Sequence, residues 1–332
     1  MSFHGEGRGT VGVETTAQRQ KLRALINNEL FMPAALLVLI IIVNVILQPT
    51  FFRLRIIRSN LATFAPLMLV SAGQAIIILS GKLDLSVGAG ISLINCILAD
   101  TMSDNPAVSL LALLLAFGVA LAAGSINGLV VGYLKLPSLI ATFATSAIWF
   151  GIALFLRPQP GGYMPPWVIK FYRFHIGVVT TSLLIVVVMM LVWWLIRKRR
   201  LGRYIYAVGS NAEAAFDSGV NTKRVIVGAY IIGWVFTFMA SFSITAQMSS
   251  GDAYMGTPFT LNSVAAVVIG GVALGGGRGS VLGAVFGAVI LSLVLNIIYF
   301  AKIPSIYQEF VKGAIIVVAL ALTLVYKRQK RT

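Results

Sequence analysis

Residues Phe174–Asn221 read FHIGVVTTSLLIVVVMMLVWWLI, then RKRR at Arg197–Arg200, then LGRYIYAVGSNAEAAFDSGVN at Leu201–Asn221. The first block carries no Asp, Glu, Lys or Arg and exceeds the roughly 20 apolar residues that a helix needs to cross a hydrocarbon core. The four cations mark its cytoplasmic end. The third block is polar and alanine-rich, with Asn211 placed to cap a short helix and Gly219 to close it. A membrane chain that holds such a helix between spans, on its basic side, presents it to a cytoplasmic partner. The segment therefore points to a transport subunit driven by another protein.

Similar apolar runs recur outward from this stretch, at Leu30–Phe52, Ser59–Gly81, Leu85–Ala99, Asn105–Leu134, Leu136–Leu156, Val225–Gly251, Ala253–Gly277 and Gly279–Ala301. A last run, Pro304–Tyr326, is interrupted only by Glu309 and Lys312, which are spaced to pair. Hydrophobic residues make up 58% of the chain and charged ones 11%, against about 25% charged in soluble domains. These runs predict an all-α polytopic membrane protein of about ten transmembrane helices, with eight or nine if some only dip in. A soluble fold would need nearly every helix apolar all round, which one small core does not accommodate. The expected organisation is a cytoplasmic tail over 1–30, one transmembrane domain over 31–326 containing the loop 201–224, and a basic cytoplasmic end over 327–332.

The net charge of +16 does not signal nucleic acid, because the cations sit at span ends. Those in the N-terminal tail, at 197–203, at Lys223 and Arg224 and at the C-terminus all fall on one side if both termini are cytoplasmic. Arg53, Arg55 and Arg58 are the exception: either they lie in an interfacial segment or the first two spans are arranged differently. Residues 1–30 are polar and lack an apolar stretch close behind a basic start, so they read as a tail and not a cleaved signal. Cys96 is the only cysteine, which excludes an intrachain disulfide framework.

No phosphate-binding loop is present: Gly81-Lys82 runs into Leu83, and Gly270–Gly279 lacks the Lys-Ser/Thr ending. ATP, with its Mg, belongs on another chain, and no cofactor is expected on this one. The only histidines are His4 and His175, so an enzyme with a His base or a metal has almost no material and catalytic residues are expected to be none.

Several polar features interrupt the apolar background. In Gly81–Gly88, GKLDLSVG, Asp84 and Ser86 fit two readings. One is a helix break lining a translocation route, where irregular backbone meets protein or water. The other is a cytoplasmic turn in which Asp84 or Ser86 caps the next helix. Gly270–Ser280 forms a second break, and Gly283 and Gly287, four apart, suit close helix packing. Gln74, Asn95, Asn127, Thr142, Thr145, Asn262 and Asn296 fall inside spans. Interhelical hydrogen bonds average only about 0.6 kcal/mol, so each singly reads as packing, while the set suits a neutral, hydroxyl-rich solute. In Asn211–Gly219, Glu213 and Asp217 share a face, and the acidic, weakly apolar pattern argues for docking to protein and against resting on lipid.

Together these residues resemble a family. RYIYAVGSNAEAAFDSGVN (Arg203–Asn221), SGKLDLSVG (Ser80–Gly88), LKLPSLIATFAT (Leu134–Thr145) and LNSVAAVVIGGVALGGGRGSVLGAVFGAVIL (Leu261–Leu291) are similar, in order, to the signatures of permeases in ribose/galactose-type ABC sugar importers. The resemblance implies a bacterial inner-membrane permease that encloses a path with a second copy or a paralogue. An external sugar-binding protein delivers the solute, and a cytoplasmic ABC ATPase docks on Gly209, Asn211, Ala212, Glu213, Ala214, Ala215, Asp217 and Gly219. Candidate path residues are Gln74, Asp84, Ser86, Asn95, Asn127, Thr142, Asn262 and Asn296. Other expected contacts are membrane lipid, with no nucleic acid. Departures are Lys82, Leu83, Asn262, Phe216 and Asp217; the extra cation at Lys82 is expected to neutralise Asp84. The alternatives are an ion-coupled secondary transporter of a small polar solute, which would need a buried carboxylate relay, and a non-transporting scaffold or receptor.

Overall fold

The computed structural model describes residues 31–304 and, beyond them, 306–308, 310–311, 313–314 and 317. The expected tail over 1–30, the basic end over 327–332 and the Glu309–Lys312 pair lie outside the described residues. In chain order the elements are α1 (Phe31–Leu47), α2 (Leu54–Leu79), α3 (Val87–Thr101), α4 (Pro106–Gly132), α5 (Ser138–Leu156) and α6 (Pro166–Arg173). A two-residue hairpin follows, β1 (His175–Ile176) with β2 (Val179–Thr180). Then come α7 (Thr181–Lys198), α8 (Arg200–Ser210), α9 (Ala212–Asp217), α10 (Thr222–Met248), α11 (Thr257–Ile269) and α12 (Val281–Phe300).

Among the described residues, α2, α4, α5, α7, α10 and α12 are long and apolar enough to cross a membrane, and α1, α3 and α11 are shorter apolar helices. Two of these boundaries have local causes. Pro49 stops α1 two residues after Leu47. Pro258 starts α11, and the Gly270–Gly271 pair ends it, with Gly271 at φ +85° where a side chain would be strained. The apolar run Ala253–Gly277 thus supplies only a 13-residue helix. The loop expected over 201–224 contains two helices, α8 and α9.

The centre of the bundle is α2, in which every residue from Phe64 to Leu79 is buried. An all-apolar helix with no polar face is stable only when surrounded. It runs antiparallel to α10: Thr63 meets Gln247 near one end, and Gly73 meets Gly233 further along. The Gly73–Gly233 crossing brings backbone onto backbone, since a Cβ on Gly73 would lie 2.6 Å from the Gly233 carbonyl oxygen. On its other side α10 packs against α4, where a Cβ on Gly128 would lie 2.8 Å from the Val227 Cα. Small residues permit these approaches, and dispersion then replaces the missing hydrophobic drive inside lipid. Gly283 and Gly287 of α12 do the same against Gly270 and Ala266 at the end of α11. By contrast α5 turns Ile140, Phe143 and Phe155 outward.

Overpacking a tight crossing costs about 1–3 kcal/mol or more. Gly233→Leu should therefore lower the thermal unfolding midpoint and the monodisperse yield in detergent. Gly118→Leu, on α4 with open space around it, should leave both unchanged.

Candidate functional site

The break between α2 and α3 is held by side chains from the helices around it. Its amides are received by side chains: Leu83 N–H by Ser138 Oγ at 3.2 Å, Leu85 N–H by Thr142 Oγ1 at 2.9 Å and Ser86 N–H by Asp84 Oδ1 at 2.7 Å. Its carbonyls are met likewise, Leu83 by the Tyr230 hydroxyl at 2.9 Å and Asp84 by Gln74 Nε2 at 3.1 Å. The Asp84 side chain, fully buried, gathers the rest. Ser86 Oγ donates to its Oδ1 at 2.5 Å, while Trp234 Nε1 at 2.9 Å and Asn127 Nδ2 at 3.3 Å donate to Oδ2. Asn127 also donates to Ser86 Oγ at 2.7 Å. One carboxyl group thereby ties the break to α4 and α10, and Ser138 and Thr142 add α5.

This arrangement decides the capping reading of the motif. Asp84 is not the helix cap: Ser86 holds that position, and the Asp84 side chain folds the loop before it. Nor does Lys82 neutralise Asp84. Among the described residues the ion pair is Arg157–Asp100, and the donors to Asp84 are all uncharged. Five candidate path residues, Gln74, Asp84, Ser86, Asn127 and Thr142, thus come together in one buried centre. Asn95 stands apart. It clamps the α10–α11 connection, donating to Thr245 Oγ1 and the Ser250 carbonyl and accepting from Asp252 N–H at 2.7 Å. Asn296 reaches Asn60 at 3.4 Å. Asn262 is half-buried and makes no side-chain hydrogen bond among the described residues.

The segment expected to dock a partner lies at the α2 C-terminal end. Asn211 Oδ1 accepts from both Glu213 and Ala214 N–H at 3.0 Å, which starts α9. Gly219, at φ +82°, stops it, with Val220 N–H closing back on the Ala215 carbonyl. Ala212, Glu213, Ala214, Phe216 and Asp217 are exposed, and only Ala215 turns inward. Gly209 is different in kind: it is packing, placed against the Leu79 carbonyl, where a Cβ would overlap.

That packing joins the two features. Gly81, Gly209 and Gly276–Gly277 come from three distant segments and meet backbone to backbone. A Cβ on Gly276 would lie 2.6 Å from Gly81 N and 2.9 Å from the Gly209 carbonyl oxygen. Gly277 N–H donates to the Leu79 carbonyl at 3.0 Å, and the Tyr206 hydroxyl to the Gly279 carbonyl at 3.3 Å. Gly81, Gly276 and Gly277 all hold positive φ, so the junction excludes other residues by conformation as well as by space. The two glycine breaks on one face are legible in the sequence, their backbone contact with Gly209 is not, and Tyr230 and Trp234 lie unmarked in the apolar run Val225–Gly251. The signal available was their polar handle, since a buried Trp N–H or Tyr O–H usually finds a partner.

Leaving a buried donor unpaired costs about 1–3 kcal/mol. Asp84→Ala strands several, so it should lower the unfolding midpoint of the purified chain strongly, and Asp84→Asn less. A wild-type midpoint for Asp84→Ala would mean that the network does not hold the break.

The family described as the permease component of the branched-chain amino acid transport system matches residues 56–320. Among similar curated proteins, the ribose import permease RbsC of Haemophilus influenzae is 30% identical over 92% of this chain and 95% of its own. RbsC of Bacillus subtilis is 32% identical over 86% of this chain and 90% of its own. The D-allose permease AlsC of Escherichia coli is 30% identical over 77% and 79%. No solved structure matches. With the match running from the first turn of α2 to beyond α12, over helices built as a membrane bundle, the chain belongs to this transport permease family.

Proposed function

We propose that the chain is the membrane-spanning permease subunit of an ATP-driven ABC importer in the bacterial inner membrane, carrying a monosaccharide or related polyol. The observation that carries the reading is α9: a capped, exposed helix that follows directly on the end of α8, where Gly209 packs onto the glycine junction. A separate ATPase holds ATP and Mg and docks on Asn211–Gly219, with Ala212, Glu213, Ala214 and Asp217 at its surface and Ala215 and Gly209 seating the helix. An external sugar-binding protein delivers solute, and a second copy or a paralogue completes the path. About ten spans, with both termini cytoplasmic, complete the topology.

A sugar is preferred over an amino acid on chemical grounds, although the matching family is described by amino acid transport. A zwitterion entering a bundle calls for fixed charges. The candidate path residues other than Asp84 are neutral amides and hydroxyls, and Asp84 is already bound by Ser86, Asn127 and Trp234. The ribose and allose permeases among its relatives support the same choice. On this reading Asn262, half-buried and uncommitted, meets the solute. Gln74, Asp84, Ser86, Asn95, Asn127, Thr142 and Asn296 frame the path.

Ala214 is exposed on α9, so Ala214→Arg should reduce uptake at least tenfold while the permease stays in the membrane at wild-type level. Co-purification of the tagged chain should bring down an ATPase whose hydrolysis rises with one sugar-loaded binding protein and not with others. Unimpaired uptake by Ala214→Arg would sink the docking assignment. A chain that purifies alone and moves solute in liposomes only under an ion gradient would make it a secondary carrier.

A further inference from the structure

The end of the bundle opposite α9 carries a built cationic cavity. Arg58 Nε donates to the Gly177 carbonyl at 2.8 Å, pinning the tip of the β1–β2 hairpin to the first turns of α2. Between them lies a cavity of about 370 Å3, walled by Arg55, Arg58, Arg173 and His175 together with Tyr172 and Gln247. Among the described residues no carboxylate lines it, and the ion pair is Arg157–Asp100, elsewhere. The polar groups around it are held. The Tyr172 hydroxyl donates to the Ala62 carbonyl at 3.1 Å, Gln247 Nε2 to Thr63 Oγ1 at 3.0 Å, and His175 Nδ1 lies 3.0 Å from the Arg173 carbonyl. Three guanidinium groups around one space, without a counter-charge among the described residues, make a site for an anion. Their planar forks match phosphate oxygens in pairs.

The surroundings select the source of that anion. The α6 helix buries Val168 and Tyr172 and exposes Trp167 and Phe171, and the hairpin exposes Phe174, Ile176, Val178 and Val179. Such a strip is costly in water and favourable at the membrane interface, where aromatic rings sit at headgroup depth and apolar residues enter the acyl boundary beside cations. The arginines that break the charge asymmetry of the sequence thus belong to an interfacial element. We propose that this cavity binds a phosphate group, carried by the headgroup of an anionic phospholipid whose chains lie against the exposed hairpin. A soluble phosphate ester shares the chemistry but gains nothing from the apolar strip.

The test compares the delipidated wild-type chain with the Arg55→Gln/Arg173→Gln variant, both positions being exposed and the hairpin pin at Arg58 kept. Thermal unfolding and native mass spectrometry are followed with dioleoylphosphatidylglycerol, dioleoylphosphatidylcholine or sn-glycerol 3-phosphate. Phosphatidylglycerol should raise the wild-type midpoint by several degrees and remain bound. The variant should bind it about thirtyfold more weakly, as expected for losing two surface cations at about 1 kcal/mol each, and retain one lipid fewer. Phosphatidylcholine and glycerol phosphate should have little effect. An equal response to glycerol phosphate would make this a site for a soluble ester and overturn the lipid assignment. A full phosphatidylglycerol response in the variant, or none in the wild type, would overturn the site. If the variant keeps its lipid response but loses affinity for an external solute-binding protein, the arginines serve protein carboxylates and the proposal is wrong.

Discussion

A stretch of non-helical backbone buried in an apolar bundle has no water to satisfy it, and this constraint organises the centre of the molecule. Each unsatisfied group there would cost several kcal/mol. The break at 80–86 meets the constraint by recruiting side chains from its neighbours: Ser138 and Thr142 from α5, Asn127 from α4, Tyr230 and Trp234 from α10, and Gln74 from α2 itself. Asp84 is the member that cannot be spared, because a carboxyl group offers two acceptor oxygens and four donors converge on them. The low dielectric that strengthens each bond also makes each omission expensive. Gln74 Oε1 and Asn127 Oδ1 are the acceptors of this centre that have no hydrogen-bond partner among the described residues.

The second constraint is steric. Side chains can deform under load by hopping rotamers, whereas contacts between backbones cannot. Gly81, Gly209 and Gly276 touch without intervening side chains, so a displacement of the end of α8, from which α9 continues, relative to α2 has no soft layer to absorb it. Leu79, the last residue of α2, accepts a hydrogen bond from Gly277 and lies five residues before Asp84. The proposed docking helix and the buried polar centre are consequently adjacent parts of one stiff structure. Interfaces of this kind switch between arrangements and do not flex continuously.

The two ends of the bundle differ in how they use charge. Near α8, Lys198 lies over the Trp194 ring at 3.4 Å and Arg197 over Tyr206 at 5.5 Å, so part of the basic cluster is spent on aromatic faces. At the opposite end the guanidiniums of Arg55, Arg58 and Arg173 surround an open cavity. Counting residues along the chain does not separate these cases, because the difference lies in what each cation faces.

The sequence by itself determined the membrane class, the helical content, the capped helix after Asn211 and the tight packing at Gly283 and Gly287. All of these rest on runs or spacings within one segment, where hydropathy, capping and helical period act locally. It also located the glycine breaks and the polar span residues. What only the tertiary structure decided is how they combine. Asp84 could pair with Lys82 by sequence proximity, yet it is bound by Asn127 and Trp234, 43 and 150 residues away. Gly209 looked like part of a docking motif and is a packing contact with Leu79. The end of α1 follows from Pro49 and the shortness of α11 from Gly270–Gly271, whose local signals an apolar run conceals. Hydrogen bonding and close packing are satisfied between segments, and in an apolar chain composition leaves the choice of partner open until the helices are placed.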